Sequence, residues 1–334
     1  MTDFAEHTKS HWFPVALSRD LRSLPLQVML FGEPIVVARL QSGRVLALED
    51  RCPHRGVPLS GGRIYGDSIQ CPYHGWTFNA DGLCVSMPGA NCNTPIGTIH
   101  QSSFAVREQD GLIWILKCGE RPMPERISAM KPGSRRFLEV MTWDAPILEA
   151  QENFLDALHT HLVHPGLVRR NSKRRAVSVN VRAEGDGFCV DYIGQADQTG
   201  ILFKLFESSR TEERAHFSGL SVAQIEYRYK KGWAAFITLC FSPATSTSTK
   251  VFAMLHVEDK FAPSWLVRLL VWPFLRKVAS QDARILKLQN VNRAYFPNHR
   301  HVVTRLDVVR NRLEVAWRSD ENASSKNTEI TIYL

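Results

Sequence analysis

The tightest constraint on this chain is Cys52-Pro53-His54 followed, after a gap of sixteen residues, by Cys71-Pro72-Tyr73-His74-Gly75-Trp76. Each short segment carries one Cys and one His, so the four donors arrive as two mixed pairs. Common zinc patterns instead keep the cysteines as one pair and the histidines as another. The mixed order suits a [2Fe–2S] cluster with Cys52 and Cys71 on one iron and His54 and His74 on the other. A structural zinc is the alternative that four such donors leave open. Pro53 and Pro72 fix the backbone beside a ligand, while Gly56 and Gly75 allow the backbone to approach sulfur closely. A cluster of this kind moves single electrons and performs no organic chemistry. The rest of the chain must say where the electron goes.

The 334 residues, 44% of them hydrophobic, are enough for two buried cores. Lys plus Arg exceed Asp plus Glu by 41 to 33, a net charge of +8. That balance can attract an acidic protein or an anionic surface. No basic helix interleaved with aromatics is present, so nucleic acid is not an expected partner. The seven cysteines, at positions 52, 71, 84, 92, 118, 189 and 240, are spaced too irregularly for a disulfide framework. The N-terminal residues lack the basic and apolar regions of a signal peptide, which places the chain in a reducing cytoplasm.

Residues 12–118 run in short, alternating, turn-rich segments such as Gln27–Leu30, Ile35–Ala38 and Leu112–Ile115. They read as a small all-β domain from which the two cluster loops project. Residues 119–136 are polar and carry Pro122, Pro124 and Pro132, a linker composition. Residues 137–334 mix strand-like alternation between Gly187 and Leu255 with helical stretches. The fold class is α+β, with the second domain an antiparallel sheet flanked by helices.

That second domain holds the next informative stretch, Leu148 to Pro165. A helix is expected up to His161, with Asn153, Asp156 and His159 recurring every three residues along one face. Pro165 disfavours helical geometry at His164 and frees that histidine to turn towards His159. Two neutral imidazoles and one carboxylate form a facial triad that binds non-haem Fe(II) and leaves positions open for O2. Ordinary core or surface histidines are the bland reading; His161, on another face, is such a histidine or a hydrogen-bond donor behind the ligands. The third ligand is expected from Asp282, near the start of a helix running from Val278 through Tyr295. A charge there can instead serve only the helix dipole.

With both motifs in hand, the chain resembles the α, or terminal oxygenase, subunits of Rieske non-haem iron oxygenases over essentially its whole length. The matching residues are Arg51–Gly56, Cys71–Trp76, Asn153–His164, and Gln281-Asp282. Trp12–Ala16 is similar to the family's first strand. The resemblance maps the third iron ligand onto Asp282 and a bridging carboxylate onto Asp156, between a neighbouring subunit's cluster histidine and His159. It implies a homotrimer, electrons from a ferredoxin or flavin reductase, and O2 as co-substrate. The short catalytic half resembles the monooxygenase and demethylase branch more than the larger dioxygenases. The implied reaction is hydroxylation or oxidative demethylation of an aromatic, N-methyl or sterol-like substrate. A Rieske electron-transfer protein without oxygenase chemistry is the rival, and Asp156, His159, His164 and Asp282 argue against it.

Three further features have plainer readings beside sharper ones. The basic run Arg169–Arg175 is a solvated loop, or else an entrance loop or a docking patch for an acidic electron donor. Ser264–Lys277 is apolar with cationic punctuation and too short and charged to span a bilayer. It reads as a helix packed on the sheet or at a subunit contact, ahead of an interfacial membrane helix. Ile201–Phe206 and Phe236–Phe241 are candidate pocket walls.

Overall fold

The computed structural model describes residues 5–91, 96–123, 135–169, 174–194, 200–201, 209–258, 264–298, 301–318 and 327–334. Cys92, most of the 119–136 linker, residues 170–173 of the basic run, 202–206 of one pocket candidate and most of the polar tail at 319–327 lie outside the described residues. The chain divides into two compact units, Met1–Arg126 with Ser242–Ser246, and Ile127–Phe241 with Thr247–Leu334.

The first unit is all-β apart from a short helix α1 (Glu6–Lys9) and 3-10 turns. Its strands are β1 (Trp12–Leu17), β2 (Leu26–Leu30), β3 (Glu33–Arg39), β4 (Val45–Glu49), β5 (Arg63–Tyr65), β6 (Ser68–Gln70), β7 (Thr77–Asn79), β8 (Cys84–Ser86), β9 (Ala105–Gln109) and β10 (Leu112–Leu116). They form three antiparallel sheets, ordered β1-β10-β9, β2-β3-β4 and β5-β6-β7-β8. Ile35–Ala38 and Leu112–Leu116 are apolar without a break because both of their faces are covered. One core cluster joins Val36, Leu46, Leu48, Leu59, Ile69 and Phe78 to Cys52 and Cys71. The two cluster loops are therefore rooted in packed strands on either side.

The second unit carries one eight-stranded sheet, apart from the end of β16 from Ser242 onward, built from β11 (Arg135–Trp143), β12 (Ala176–Glu184), β13 (Gly187–Ile193), β14 (Arg210–Ser218), β15 (Val222–Tyr229), β16 (Ala234–Thr245), β17 (Ser248–Val257) and β18 (Thr328–Tyr333). Their order is β11-β17-β16-β15-β14-β13-β12-β18. Around it run α2 (Ile147–Leu155), α3 (Thr160–Val163), α4 (Ser264–Leu270), α5 (Trp272–Tyr295) and α6 (Val308–Arg318). Buried charge fastens α2 to α5 and α6. Glu149 accepts hydrogen bonds from Gln289, Arg293 and Arg310, and Arg310 also reaches Glu152 and Glu314. Trp317 Nε1 donates to Gln151 Oε1 at 2.8 Å. Among the described residues, no helix is long and apolar enough to cross a membrane.

Three local expectations need correction. The helix expected through His161 stops at Leu155, and a separate short helix begins at Thr160. Asp156 is extended (φ −81°, ψ 119°), and its Oδ1 accepts the Leu158 N–H at 3.0 Å. An aspartate that bonds the backbone two residues ahead favours a turn over a continued helix. The late helix starts at Trp272 rather than Val278, with Pro273 in the first turn, where a missing N–H costs nothing. Asp282 thus lies well inside the helix, which removes the helix-dipole reading. Finally, 264–277 is two helices: Trp272 is buried against Leu255, while Trp265, Leu269 and Leu270 on α4 are exposed.

Candidate cluster site and mononuclear metal centre

Cys52 and Cys71 sit in two loops of matching hydrogen-bond pattern. The Gly56 N–H donates to Cys52 O at 2.9 Å, and the Gly75 N–H donates to Cys71 O at 3.2 Å. Cys52 N–H and Cys71 N–H close the loops by donating to Val57 O and Trp76 O, each at 2.8 Å. Both thiols are buried, and burial pushes the Cys52 thiol up to about 11. A metal that takes the thiolate directly reverses that cost. The His54 and His74 rings lie 4.6 Å apart, and His54 stacks flat on Trp76 at 4.4 Å. His54 Nδ1 is buried without a hydrogen-bond partner among the described residues. A buried ring nitrogen with no donor or acceptor to meet is what an inward-facing metal ligand leaves behind. The donor set fits a [2Fe–2S] cluster.

In the second unit, His159 and His164, which flank α3 on either side, converge with Asp282 from the interior of α5, more than a hundred residues later. Asp282 Oδ1 stands 3.0 Å from His164 Nε2 and 3.4 Å from His159 Nε2. One donor atom from each lies within 4.8 Å of the others. His164 has left the helix (φ −118°, ψ 53°) ahead of Pro165. Its Nδ1 lies 3.0 Å from Gln281 Oε1, which accepts the Nδ1 proton and turns the Nε2 lone pair towards Asp282. A lone pair facing a carboxylate oxygen at that distance is repulsive unless a proton or cation sits between them. Burial opposes charge on both partners. Even so, the nearby Asp282 carboxylate raises the His164 pKa, and His159 and His164 together lower that of Asp282. A divalent ion satisfies all three groups at once, so the residues fit a mononuclear iron site.

Asn153 and Asp156 flank this centre. Burial pushes the Asp156 carboxyl upward, against the lowering effect of the Leu158 N–H. Both residues line a cavity of about 190 Å³ that ends at the triad. Its walls are largely apolar, including Met141, Trp143, Phe154, Ile225, Ile237, Leu239, Met254 and Trp272. Of the pocket candidates, the Phe236–Phe241 strand contributes Ile237 and Leu239, while Ile201 is exposed. His161 is fully buried and stands apart from the triad set.

Sequence reasoning missed the polar wall of this cavity. Arg169, read as part of an exposed basic run, is 4% exposed and ion-paired to Glu213 at 3.3 Å. Arg210, which also pairs with Glu213, lies over the Tyr227 ring at 3.8 Å. The one signal available was that Arg169 directly follows the iron motif. A second set of donors, Glu184, Cys189 and His216, also gathers within 4.8 Å. There the Arg182 guanidinium sits 3.3 Å from the Cys189 sulfur, and Arg214 pairs with the neighbouring Asp191. Cations already occupy that neighbourhood.

One unit carries paired Cys/His loops and the other a two-histidine, one-carboxylate centre at a cavity, two candidate metal sites of different donor chemistry. Comparison with known proteins agrees. Residues 11–106 match the Rieske [2Fe-2S] domain, and residues 143–319 match the vanillate O-demethylase oxygenase C-terminal domain. The chain belongs to the Rieske non-haem iron oxygenases. It is 35% identical over 179 residues to methylxanthine N1-demethylase NdmA of Pseudomonas putida, covering 50% of each chain. It is 40% identical over 107 residues to the oxygenase component of dicamba O-demethylase of Stenotrophomonas maltophilia, covering 32% of this chain and 31% of that one. The chain spans half or less of the length of these relatives. Its fold is that of dicamba monooxygenase bound to dicamba, with a TM-score of 0.79 at 23% identity over 95% of this chain and 97% of that one.

Proposed function

We propose that this chain is the terminal oxygenase of a multicomponent system, hydroxylating or oxidatively demethylating a small organic substrate with O2. The observation that carries this reading is the meeting of His159, His164 and Asp282 at the end of a largely apolar cavity. In this reading Cys52, His54, Cys71 and His74 hold the cluster, and His159, His164 and Asp282 hold Fe(II). When bound, the cluster supplies single electrons and the mononuclear iron supplies O2 activation. The chain's own residues do the rest. Gln281 fixes the tautomer of His164, and the apolar wall excludes water and orients the substrate. Asp156 is the carboxylate that links a neighbouring subunit's cluster histidine to His159, with Asn153 beside it.

The same proposal assigns residues 12–118 to the cluster domain, 119–136 to a linker and 137–334 to the catalytic domain. It includes a homotrimer, a cytoplasmic location, and a ferredoxin or flavin reductase as electron donor. The triad speaks against a pure electron-transfer role, which needs no second metal site. The test is to reduce the protein anaerobically, admit O2, and screen methoxy-aromatics, N-methyl compounds and sterols by product mass. Incorporation of oxygen into a methyl-bearing substrate is expected, and its absence across the panel refutes the proposal. Asp156→Ala is expected to keep both metals and lose steady turnover; full turnover in that variant sinks the relay role.

A further inference from the structure

The break between α2 and α3 places Asp156 and His159, and its backbone is held from outside. A helix end leaves carbonyl oxygens without intrahelical donors, and buried ones need partners elsewhere. Tyr192 Oη, from β13, donates to Leu155 O at 3.0 Å. Thr160 Oγ1 donates to Ala157 O at 2.6 Å. Arg169 Nη1 donates both to Ala157 O at 3.2 Å and to Thr160 Oγ1 at 2.7 Å. The far side of the same guanidinium donates to Glu213 Oε1 at 3.3 Å, and Arg210 Nη1 donates to Glu213 Oε2 at 2.8 Å. All of these groups line the cavity, and all but the half-buried Thr160 are buried.

We infer that Arg169 is a positioning residue, a clamp that holds the 156–158 break in the shape that delivers His159 to His164 and Asp282. Glu213 and Arg210 on β14 hold the clamp itself. The inference rests on the assignment of the triad as a metal site. A buried guanidinium is costly unless its donors are engaged, and here one nitrogen holds the Ala157 carbonyl and the Thr160 hydroxyl of the ligand loop while the other meets Glu213. Because the clamp is also cavity wall, a molecule in the cavity rests against the group that sets the ligand loop.

The test uses protein with the cluster intact and the mononuclear iron removed, titrated anaerobically with Co(II) and followed by its d–d absorption. Arg169→Met is expected to weaken Co(II) binding at least about tenfold and to alter the band shape, as loss of a group supporting a metal ligand does. The cluster spectrum is expected to stay unchanged. Arg169→Lys, which keeps a donor but not the fork, is expected to recover part of the affinity. Thr160→Val is expected to weaken binding too, and the double variant to bind no more weakly than Arg169→Met, because both act on Ala157 O. Wild-type affinity and bands in Arg169→Met overturn the clamp. If that variant does not fold, wild-type values in both Thr160→Val and Glu213→Gln overturn it. Wild-type protein that takes up no Co(II) refutes the metal site itself, a failure distinct from that of the clamp.

Discussion

The two cluster loops offer a matched pair of substitutions whose energies differ for one geometric reason. Gly56 and Gly75 have nearly the same backbone, φ +74° and +72°, and each donates its N–H to the cysteine carbonyl of its own loop. An alanine at either position enters the left-handed region, which costs about 1–2 kcal/mol. At Gly56 the added Cβ meets nothing within 4 Å. At Gly75 it comes within 2.8 Å of Pro88 Cγ and 3.5 Å of Pro88 Cδ. A proline ring cannot rotate away, but Pro88 is exposed and can shift with its loop, so the added cost sits at the low end of overpacking, about 1 kcal/mol. Gly75→Ala should then lose about 2–3 kcal/mol and Gly56→Ala about 1–2 kcal/mol. Melts followed by cluster absorbance and by far-UV circular dichroism should separate the two variants by about 3 °C. Adding Pro88→Ala should return Gly75→Ala to the level of Gly56→Ala. The reasoning is refuted if Gly56→Ala melts at or below Gly75→Ala, or if removing the Pro88 ring restores nothing.

Other variants probe the second unit. Asp282→Asn is expected to abolish tight binding at the mononuclear site while metal analysis still finds the cluster iron; full iron content excludes Asp282 as a ligand. Arg310→Met strands Glu149, which is 5% exposed in its side chain, with the half-exposed Arg293 as its remaining charged partner among the described residues. About 2–4 kcal/mol should be lost in urea denaturation, and an unchanged midpoint contradicts the proposed fastening of α2. His216 supplies a pH test. Burial alone would lower its pKa, but hydrogen bonds to Cys189, Glu226 and Glu184 together push it up to about 10. Its stabilisation is therefore complete below the unfolded value near 6.5 and is lost as pH rises through about 10. His216→Gln should be less stable than wild type by about 1 kcal/mol at pH 6, a figure discounted for solvent screening, with the gap closing by pH 10. A gap that widens with pH contradicts the ion pairing.

The sequence by itself nominated the candidate donors by residue type and spacing. Cys52, His54, Cys71 and His74 are readable because a cluster demands fixed residue types at short spacing, and such spacing is local. Strands such as Ile35–Ala38 and Leu112–Ile115 were readable for the same reason, since an apolar run needs no distant information. His159, His164 and Asp282 could be nominated by type, and the resemblance placed Asp282, but their meeting is a tertiary fact. The helix through His161 failed as a reading because the signal that ends it lies partly outside the segment. Asp156 turns the chain, and Tyr192 and Arg169 capture the carbonyls that the break exposes. Arg169 itself belongs, in the linear chain, to a basic run suited to solvent. Only when β14 brings Glu213 beneath it does burying that charge become favourable, and an apparently exposed arginine becomes part of the wall of the cavity that His159, His164 and Asp282 also line. Residue type is written locally; burial, pairing and the closing of a site depend on what the fold places across from each residue.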